Sequence, residues 1–248
     1  MLGDEGRVRA QGRTEEVRHF YDSISYGRFG ENAFDYAKLY AQAVRAFPSG
    51  SHFVEVGAFL GKSSACMAVE ILNSEKDIRF DVVDSWEAEG YGASQYFLPN
   101  KREAEAHGSS LYQDFVFNVC RTPDLWRIVK PVKLRSAVAA ALYAPESIDF
   151  LFLDADHRYE EVVNDLAAWT TKIKPDGVIA GHDFNSAELY WAVVERFSLK
   201  VGAIRTTKNR LCWIHDPTGR MQHVAREGCH SHTDTEPPGV CGAGVSAL

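Results

Sequence analysis

The sequence lacks a long apolar run and an apolar leader. No stretch approaches the roughly 18 apolar residues that a membrane span needs, and the opening residues, MLGDEGRVRAQ, lack the apolar core of a signal peptide. These two absences predict a cytoplasmic protein with no membrane partner.

The cysteines and the net charge argue against two further classes, disulfide-stabilised proteins and nucleic-acid-binding proteins. The five cysteines are odd in number and irregular in spacing, and they form no CxxC pair, so free thiols are expected rather than disulfides. The net charge is −7 at pH 7, which argues against a nucleic-acid partner. The remaining composition, 45% hydrophobic and 25% charged over 248 residues, is typical of one large globular domain or two small ones.

Short apolar runs alternate with amphipathic stretches through the middle of the chain. Strands are predicted at residues 52–57, 79–84, 126–132, 148–154, 178–182, 200–204 and 211–215, with a turn at 174–177. Helices are predicted at residues 33–46, 62–72, 137–142, 159–166 and 189–197. This alternation predicts an α/β fold whose seven-stranded, mostly parallel sheet is covered by helices on both faces.

Three segments lack this rhythm and set the predicted boundaries. Residues 1–32 are predicted to be a loose segment or lid, residues 33–216 the folded domain, and residues 217–248 a disordered tail. Residues 87–110 form an insertion rich in glycine and polar groups. Aromatic side chains in the insertion and near residues 21–34 suit a pocket for a small molecule or a contact between copies in a homo-oligomer.

The segment GAFLGKSS joins the first strand to its helix and predicts a ligand site. Gly57 permits a tight turn and Gly61 a close approach, while the helix start suits a carboxylate or a phosphate. Phe59 replaces a glycine of the dinucleotide motif, and only three residues separate the two glycines where a P-loop has four. Glu55, just before the turn, suits a cationic group of a ligand.

The ends of the next two strands carry candidate residues for contacts with the ribose and adenine of a nucleoside. Asp84 ends the second strand, 23 residues after Gly61, where an acid in nucleotide-binding folds accepts hydrogen bonds from ribose. Trp86 suits either a cover over an adenine face or a place in the core. Ser136 suits either an adenine contact or the N-cap of the helix that follows.

Carboxylates and imidazoles follow the fourth and fifth strands. Asp154, Asp156 and His157 follow one, and His182 and Asp183 follow the other. Because the carboxyl ends of parallel strands meet at one edge, these side chains are expected to share a crevice. Such oxygen ligands suit Mg²⁺, and histidine leaves Mn²⁺ or Fe²⁺ open. The alternative is structural, with Asp156 capping a helix that begins at His157.

Four segments in this order, FVEVGAFLGKSS, DVVDSW, IDFLFLDADHRYE and KPDGVIAGHDF, make the sequence resemble the class I S-adenosylmethionine-dependent methyltransferases. Within them it resembles bacterial small-molecule O-methyltransferases and cephalosporin-hydroxylase-like proteins. The resemblance covers about residues 35–215. It implies a Rossmann-like fold, S-adenosylmethionine as cofactor and a small molecule as methyl acceptor.

The resemblance also implies a role for each matching residue. The residues that would bind the cofactor are Glu55, Gly57, Ala58, Gly61, Ser63, Asp84, Trp86, Ser136 and Asp154. Asp154, His182 and Asp183 would hold Mg²⁺ or Mn²⁺, although the relatives carry an acid at the position of His182. The catalytic candidates are His182, Asp154 and His157, with His182 either a third metal ligand or a general base.

Two other classes of function stay open on the sequence. A nucleotide- or sugar-phosphate-binding protein of the same fold, without methyltransferase activity, is favoured by Lys62 and Ser63 beside the helix start, since fold does not fix function. A non-catalytic scaffold would bind no cofactor at all.

Overall fold

The computed structural model describes residues 34–87, 97–120, 123–197, 204–207 and 211–222. Within these ranges the strands are β1 (His52–Val56), β2 (Arg79–Asp84), β3 (Val129–Lys133), β4 (Ile148–Leu153), β5 (Ile173–Gly181), β6 (Ile204–Thr206) and β7 (Trp213–His215). They form one seven-stranded sheet in the order β3-β2-β1-β4-β5-β7-β6. Only the pairings of β7 are antiparallel, which confirms the predicted seven-stranded, mostly parallel sheet.

Helices cover both faces of this sheet, as predicted. They are α1 (Ala37–Ala46), α2 (Lys62–Asn73), α3 (Phe97–Ala106), α4 (Leu111–Val119), α5 (Pro123–Ile128), α6 (Ser136–Ala140), α7 (Tyr159–Trp169) and α8 (Ala187–Phe197), with a 3₁₀ turn at Thr170–Lys172. Helices α1, α2 and α4 pack on one face, and α6, α7 and α8 on the other. The strand order reverses between β1 and β4, and ligands of such sheets bind beyond the carboxyl ends at this point.

The central strands are apolar on both sides because each side faces its own core. In β4, Phe150 and Phe152 pack with α1 and α2, while Leu151 and Leu153 pack with α7 and α8. Side chains of a strand alternate between the two faces of its sheet, so a near-continuous apolar run is what a strand buried on both faces requires. The polar residues that follow β4 are therefore the first that can reach the crevice.

Two predicted boundaries around the sheet are wrong. The third strand begins at Val129, because α5 begins at Pro123 and includes Trp126. Proline favours the first position of a helix, where its missing N–H costs nothing. The predicted turn at 174–177 lies inside β5, whose pairing register with β4 shifts there.

The predicted insertion is partly helical. Residues 88–96 lie outside the described residues, and α3 and α4 follow them. The start of α4 is capped by the Ser110 side chain, which accepts the N–H of Gln113. Leu111, Phe115 and Val119 are buried at four-residue spacing on one side of α4, a helical pattern that the sequence does contain.

The ends of the chain and the sixth strand are covered only in part. Residues 1–33, 198–203 and 223–248 lie outside the described residues, so most of the predicted lid, strand and tail are not described. Met221 is buried in the core on the α1 and α2 face, so packing continues past residue 216. No helix among the described residues is long and apolar enough to span a membrane, and the described cysteines form no disulfide.

Gly57 joins the ends of β1 and β4 through a close backbone contact. Its φ is +92°, and a Cβ added there would lie 1.9 Å from the carbonyl oxygen of Asp154. A side chain at this position would therefore force apart the two turns that flank the crevice.

We expect Gly57→Ala to lower the free energy of unfolding far more than Gly50→Ala. Gly50 also has a positive φ, +86°, but no atom lies within 4 Å of its added Cβ. Gly50→Ala should lower the free energy of unfolding only by the cost of placing alanine at a positive φ, about 1–2 kcal/mol. Gly57→Ala should lower it by about 3 kcal/mol more, because the added Cβ overpacks the contact. Urea denaturation of both variants measures the difference, and equal losses would contradict the contact.

Candidate active site

Asp84 fixes the turn between β1 and α2. Its Oδ2 accepts the N–H groups of Ala58 and Phe59, both at 2.9 Å, and its Oδ1 accepts the N–H of Trp86 at 2.7 Å. The carboxylate is buried. Since a carboxylate can accept about four hydrogen bonds, the predicted contact with a ribose stays a prediction beside this structural role.

Strained backbone accompanies these hydrogen bonds. Phe59, Trp86 and Asp183 have φ angles of 48°, 49° and 53°, a region that non-glycine residues rarely occupy. Such conformations cost about 1–3 kcal/mol each and cluster at functional sites. The bonds from Asp84 hold two of the three, and Asp183 belongs to the polar residues after β5.

Glu55 lies in the base of the same turn. The Tyr40 hydroxyl donates to its Oε1 at 2.8 Å, and the Ser64 hydroxyl donates to its Oε2. Burial raises the pKa of Glu55 to about 7, against the lowering effect of hydrogen bonds from Ser63, Ser64 and Tyr40. The carboxyl group thus supports the turn, and its predicted contact with a cationic ligand group stays a prediction.

Helix α2 begins directly after Gly61, which is its N-cap with φ +85°. An added Cβ would lie 2.8 Å from the Phe115 ring, so this glycine permits the packing of α4. Ala58 and Ser63 are buried on either side of it. The first turn of a helix leaves N–H groups without partners inside the helix, and its positive dipole end favours an anionic group.

Trp86 is a residue for which the sequence left two roles open, a cover over adenine and a place in the core. The Trp86 indole is 5% exposed, donates to the Phe59 carbonyl at 2.8 Å and packs 4.7 Å from the Phe115 ring. Trp86 therefore has a place in the core, and its predicted contact with adenine stays a prediction.

Ser136 is the first residue of α6, and Arg135 is the N-cap. The predicted capping role and the predicted start at residue 137 are therefore wrong. The Ser136 hydroxyl accepts a hydrogen bond from Trp169 Nε1 at 2.8 Å. A contact with adenine stays a prediction for this residue.

The polar residues after β4 and β5 do meet, as the fold predicted. Ligand atoms of Asp154, His182 and Asp183 lie within 4.8 Å of one another. His182 Nδ1 is 3.9 Å from Asp154 Oδ1 and 3.3 Å from Asp183 Oδ2. His157 Nε2 contacts the same two oxygens at 3.5 and 3.2 Å. We call Asp154, His157, His182 and Asp183 the edge cluster.

Two residues before α1 contact the edge cluster and were missed by the sequence analysis. The Tyr36 hydroxyl donates to Asp154 Oδ2 at 2.9 Å, and its ring lies 4.9 Å from the His182 ring. Asp35 Oδ1 lies 3.1 Å from His182 Nε2. These partners are 118 and 147 residues apart in sequence, and the segment was predicted only as the start of a helix.

Carboxylates and imidazoles of the edge cluster shift one another's pKa values. Burial opposes protonation of His182, but Asp183, Asp35 and Asp154 outweigh it and raise its pKa to about 10. The pKa of His157 is raised by Asp154 and Asp183 despite its burial, and the pKa of Asp183 is lowered by the two histidines despite burial. The carboxylates thus favour the protonated form of both imidazoles, and the imidazoles favour the ionised form of Asp183.

Asp156 points away from this cluster. Its carboxylate accepts the N–H of Arg158 at 2.9 Å and pairs with the Arg158 guanidinium, which holds the pKa of Asp156 low despite its partial burial. Helix α7 begins at Tyr159, as the helical spacing predicted, with Arg158 as N-cap. The alternative in which Asp156 caps a helix that begins at His157 is therefore wrong. His157 lies in the turn instead, and its ring folds back onto Asp154.

The residues from β1 to just after β5 match a known family. A family model described as a methyltransferase domain matches residues 54–184, more than half of the chain. The O-methyltransferase NovP is 18% identical with a TM-score of 0.50, over 73% of this chain and 78% of that chain. The precorrin-6y C5,15-methyltransferase from Geobacter metallireducens GS-15 is 12% identical with a TM-score of 0.50, over 78% and 93%. At these identities the likeness shows the fold, and no curated sequence matches significantly.

The buried carboxyl group of Glu55 predicts a specific pH dependence of stability. Its pKa is 4.5 when exposed and about 7 in the folded protein, so between these pH values the folded state holds a proton that the unfolded state has released. Stability from this group is complete below pH 4.5 and is lost as pH rises through about 7. Glu55→Gln should remove this loss, on the order of 3 kcal/mol at about 1.4 kcal/mol per pH unit.

Urea denaturation at pH 5 and pH 8 gives the free energy of unfolding of wild type and variant. The effect is the amount by which the wild type loses more of this free energy than the variant between the two pH values. Glu103→Gln is the matched control, because Glu103 is exposed on α3. The control should follow the wild type at both pH values. The same pH dependence in Glu55→Gln as in the wild type would show that Glu55 does not bind this proton.

Proposed function

The chain belongs to the methyltransferase-domain family, and from this premise we propose that it transfers a methyl group from S-adenosylmethionine to an oxygen of a small molecule, assisted by a divalent cation at the edge cluster. The observation that carries the proposal is the contact of Gly57 with the Asp154 main chain. It makes the turn before α2 and the carboxylate after β4 adjoining walls of one crevice.

The donors around the turn fit S-adenosylmethionine. This cofactor presents a carboxylate, an ammonium and a sulfonium group. The start of α2 offers N–H groups and a positive dipole end to the carboxylate. Glu55 and Asp154 provide acidic groups near the same turn for the cationic groups. No phosphate needs to be accommodated, which agrees with Phe59 in place of a glycine.

The edge cluster fits a divalent cation. Asp154, Asp183 and His182 offer two carboxylate oxygens and one imidazole nitrogen, all within 4.8 Å of one another, and the remaining positions would be filled by water. When bound there, a divalent cation supplies Lewis acidity that lowers the pKa of an acceptor hydroxyl. This chemistry favours oxygen as the methylated atom.

The chain's own residues position the reactants and accept a proton. Methyl transfer is an in-line displacement, so orienting the two reactants supplies much of the rate. His157 is the more accessible candidate for general base, because its side chain is 44% exposed whereas that of His182 is 10% exposed. It can accept a proton only after its own is lost, and a cation on Asp154 and Asp183 would favour that loss by offsetting the carboxylates that raise its pKa. Both nitrogens of His182 already contact carboxylates. The net charge of −7 favours a small-molecule acceptor over a nucleic acid.

Calorimetric titration with S-adenosylhomocysteine tests cofactor binding without knowledge of the acceptor. The wild type should bind it, and Asp84→Ala should weaken binding ten- to a hundredfold, because the N–H groups of Ala58 and Phe59 lose their acceptor. The control is Asp149→Ala at the amino end of β4, where the carboxylate accepts the N–H of His52 at 2.8 Å. This control should leave affinity unchanged, and circular dichroism checks that both variants fold.

Titrations with NAD and ATP complete the experiment. We expect neither to bind comparably, because the turn lacks both phosphate-binding glycine patterns. Binding of NAD or ATP without binding of S-adenosylhomocysteine would favour the nucleotide-binding alternative. Equal loss of affinity in Asp84→Ala and Asp149→Ala would remove Asp84 from the cofactor site.

A further inference from the structure

His182 contacts carboxylates with both of its ring nitrogens. Nδ1 faces Asp183 at 3.3 Å and Asp154 at 3.9 Å, and Nε2 lies 3.1 Å from Asp35. The ring is held further by Tyr36, which packs against it and donates to Asp154. Its two nitrogens thus have different surroundings, one toward the oxygens of the edge cluster and one toward the segment before α1.

This arrangement matches the surroundings of a metal-binding histidine. A histidine ligand usually donates its second N–H to a carboxylate, which fixes the tautomer, orients the ring and makes the ligating nitrogen more basic. If Nε2–H donates to Asp35, then Nδ1 directs its lone pair toward the oxygens of Asp154 and Asp183. Asp35 therefore has the position and the chemistry of a residue that orients His182.

We propose that the edge cluster selects a first-row transition-metal dication, such as Mn²⁺ or Fe²⁺, over Mg²⁺, with His182 Nδ1 as its nitrogen ligand and Asp35 as the positioning residue. The inference rests on the cation-assisted function proposed above. Imidazole nitrogen favours transition metals, whereas Mg²⁺ prefers oxygen ligands alone. The imidazole nitrogen among the three protein ligands therefore favours these metals over Mg²⁺.

A second set of donors shares the same imidazole. Ligand atoms of Asp35, His182 and Cys212 also lie within 4.8 Å of one another. Cys212 is 1% exposed, whereas the side chains of Asp154 and Asp183 are 19% and 33% exposed. A cation on the Asp154 side is open to the crevice and to an acceptor hydroxyl, so we assign the ligating nitrogen to Nδ1 and the hydrogen bond to Nε2.

The test is electron paramagnetic resonance on the intact chain with Mn²⁺ as the probe. Disappearance of the free Mn²⁺ signal gives the Kd, and electron spin-echo modulation reports whether ¹⁴N is bound to the ion. The wild type should bind Mn²⁺ with ¹⁴N modulation and should resist displacement by Mg²⁺. His182→Asp should lose the modulation and release Mn²⁺ to Mg²⁺ readily, and His157→Gln should keep the modulation.

Asp35 is tested by its effect on affinity and on the signal. Asp35→Ala should raise the Kd for Mn²⁺ ten- to a hundredfold, the usual cost of removing such a partner, and should weaken the ¹⁴N modulation. Asp35→Asn is the second variant, because its amide keeps the shape and can still accept one hydrogen bond. Asp77→Ala, an exposed position before β2, is the control and should match the wild type.

The remaining outcomes overturn the inference in distinguishable ways. Mn²⁺ binding without ¹⁴N modulation, or an unchanged Kd in both Asp35 variants, contradicts it and leaves cation assistance in place. If Cys212→Ser abolishes the ¹⁴N modulation and Asp183→Ala does not, His182 binds the ion together with Asp35 and Cys212, and the assignment to Nδ1 is wrong. If the protein binds S-adenosylhomocysteine but no Mn²⁺, both this inference and the proposed cation assistance are wrong, while the proposed cofactor site is unaffected.

Discussion

The approach of two main-chain turns at the carboxyl edge of the sheet is the constraint on which the site depends. The N–H of Asp154 donates to the Val56 carbonyl at 2.8 Å, and the N–H of Gly57 donates to the Val83 carbonyl at 2.9 Å. These bonds extend the pairing of β1 with both neighbours one residue past the strand, where only glycine fits against Asp154. The turn that leads into α2 and the carboxylate after β4 are held side by side as a result.

Four carboxyl groups lie beneath and beside this contact and fall into two groups. Asp84 accepts main-chain N–H groups of the turn, and Glu55 accepts the hydroxyl groups of Tyr40 on α1 and Ser64 on α2. Asp154 and Asp183 face the imidazoles of His157 and His182. One group of acids thus builds the proposed cofactor turn, and the other belongs to the site at which we propose a metal cation.

The sequence predicted the parts of the molecule that depend on local pattern or on the topology of parallel sheets. β2 was predicted to the residue because its apolar run is bounded by polar residues, and the meeting of Asp154, His182 and Asp183 followed from the rule that strand ends share an edge. Asp35 and Tyr36 were missed, since their contacts depend on how α1 packs. Trp86 was undecided because a tryptophan after a strand suits core and crevice equally.

If the turn before α2 and the edge cluster serve one reaction, as we propose, the methyl group of the cofactor must lie close to the cation. Nuclear magnetic resonance of bound S-adenosylmethionine labelled with ¹³C at its methyl group tests this most directly. We expect Mn²⁺ to broaden the methyl resonance strongly, Zn²⁺ or Mg²⁺ not to broaden it, and Asp183→Ala to abolish the broadening. A sharp methyl resonance in a protein that binds both Mn²⁺ and the cofactor would place them in separate sites and contradict the account.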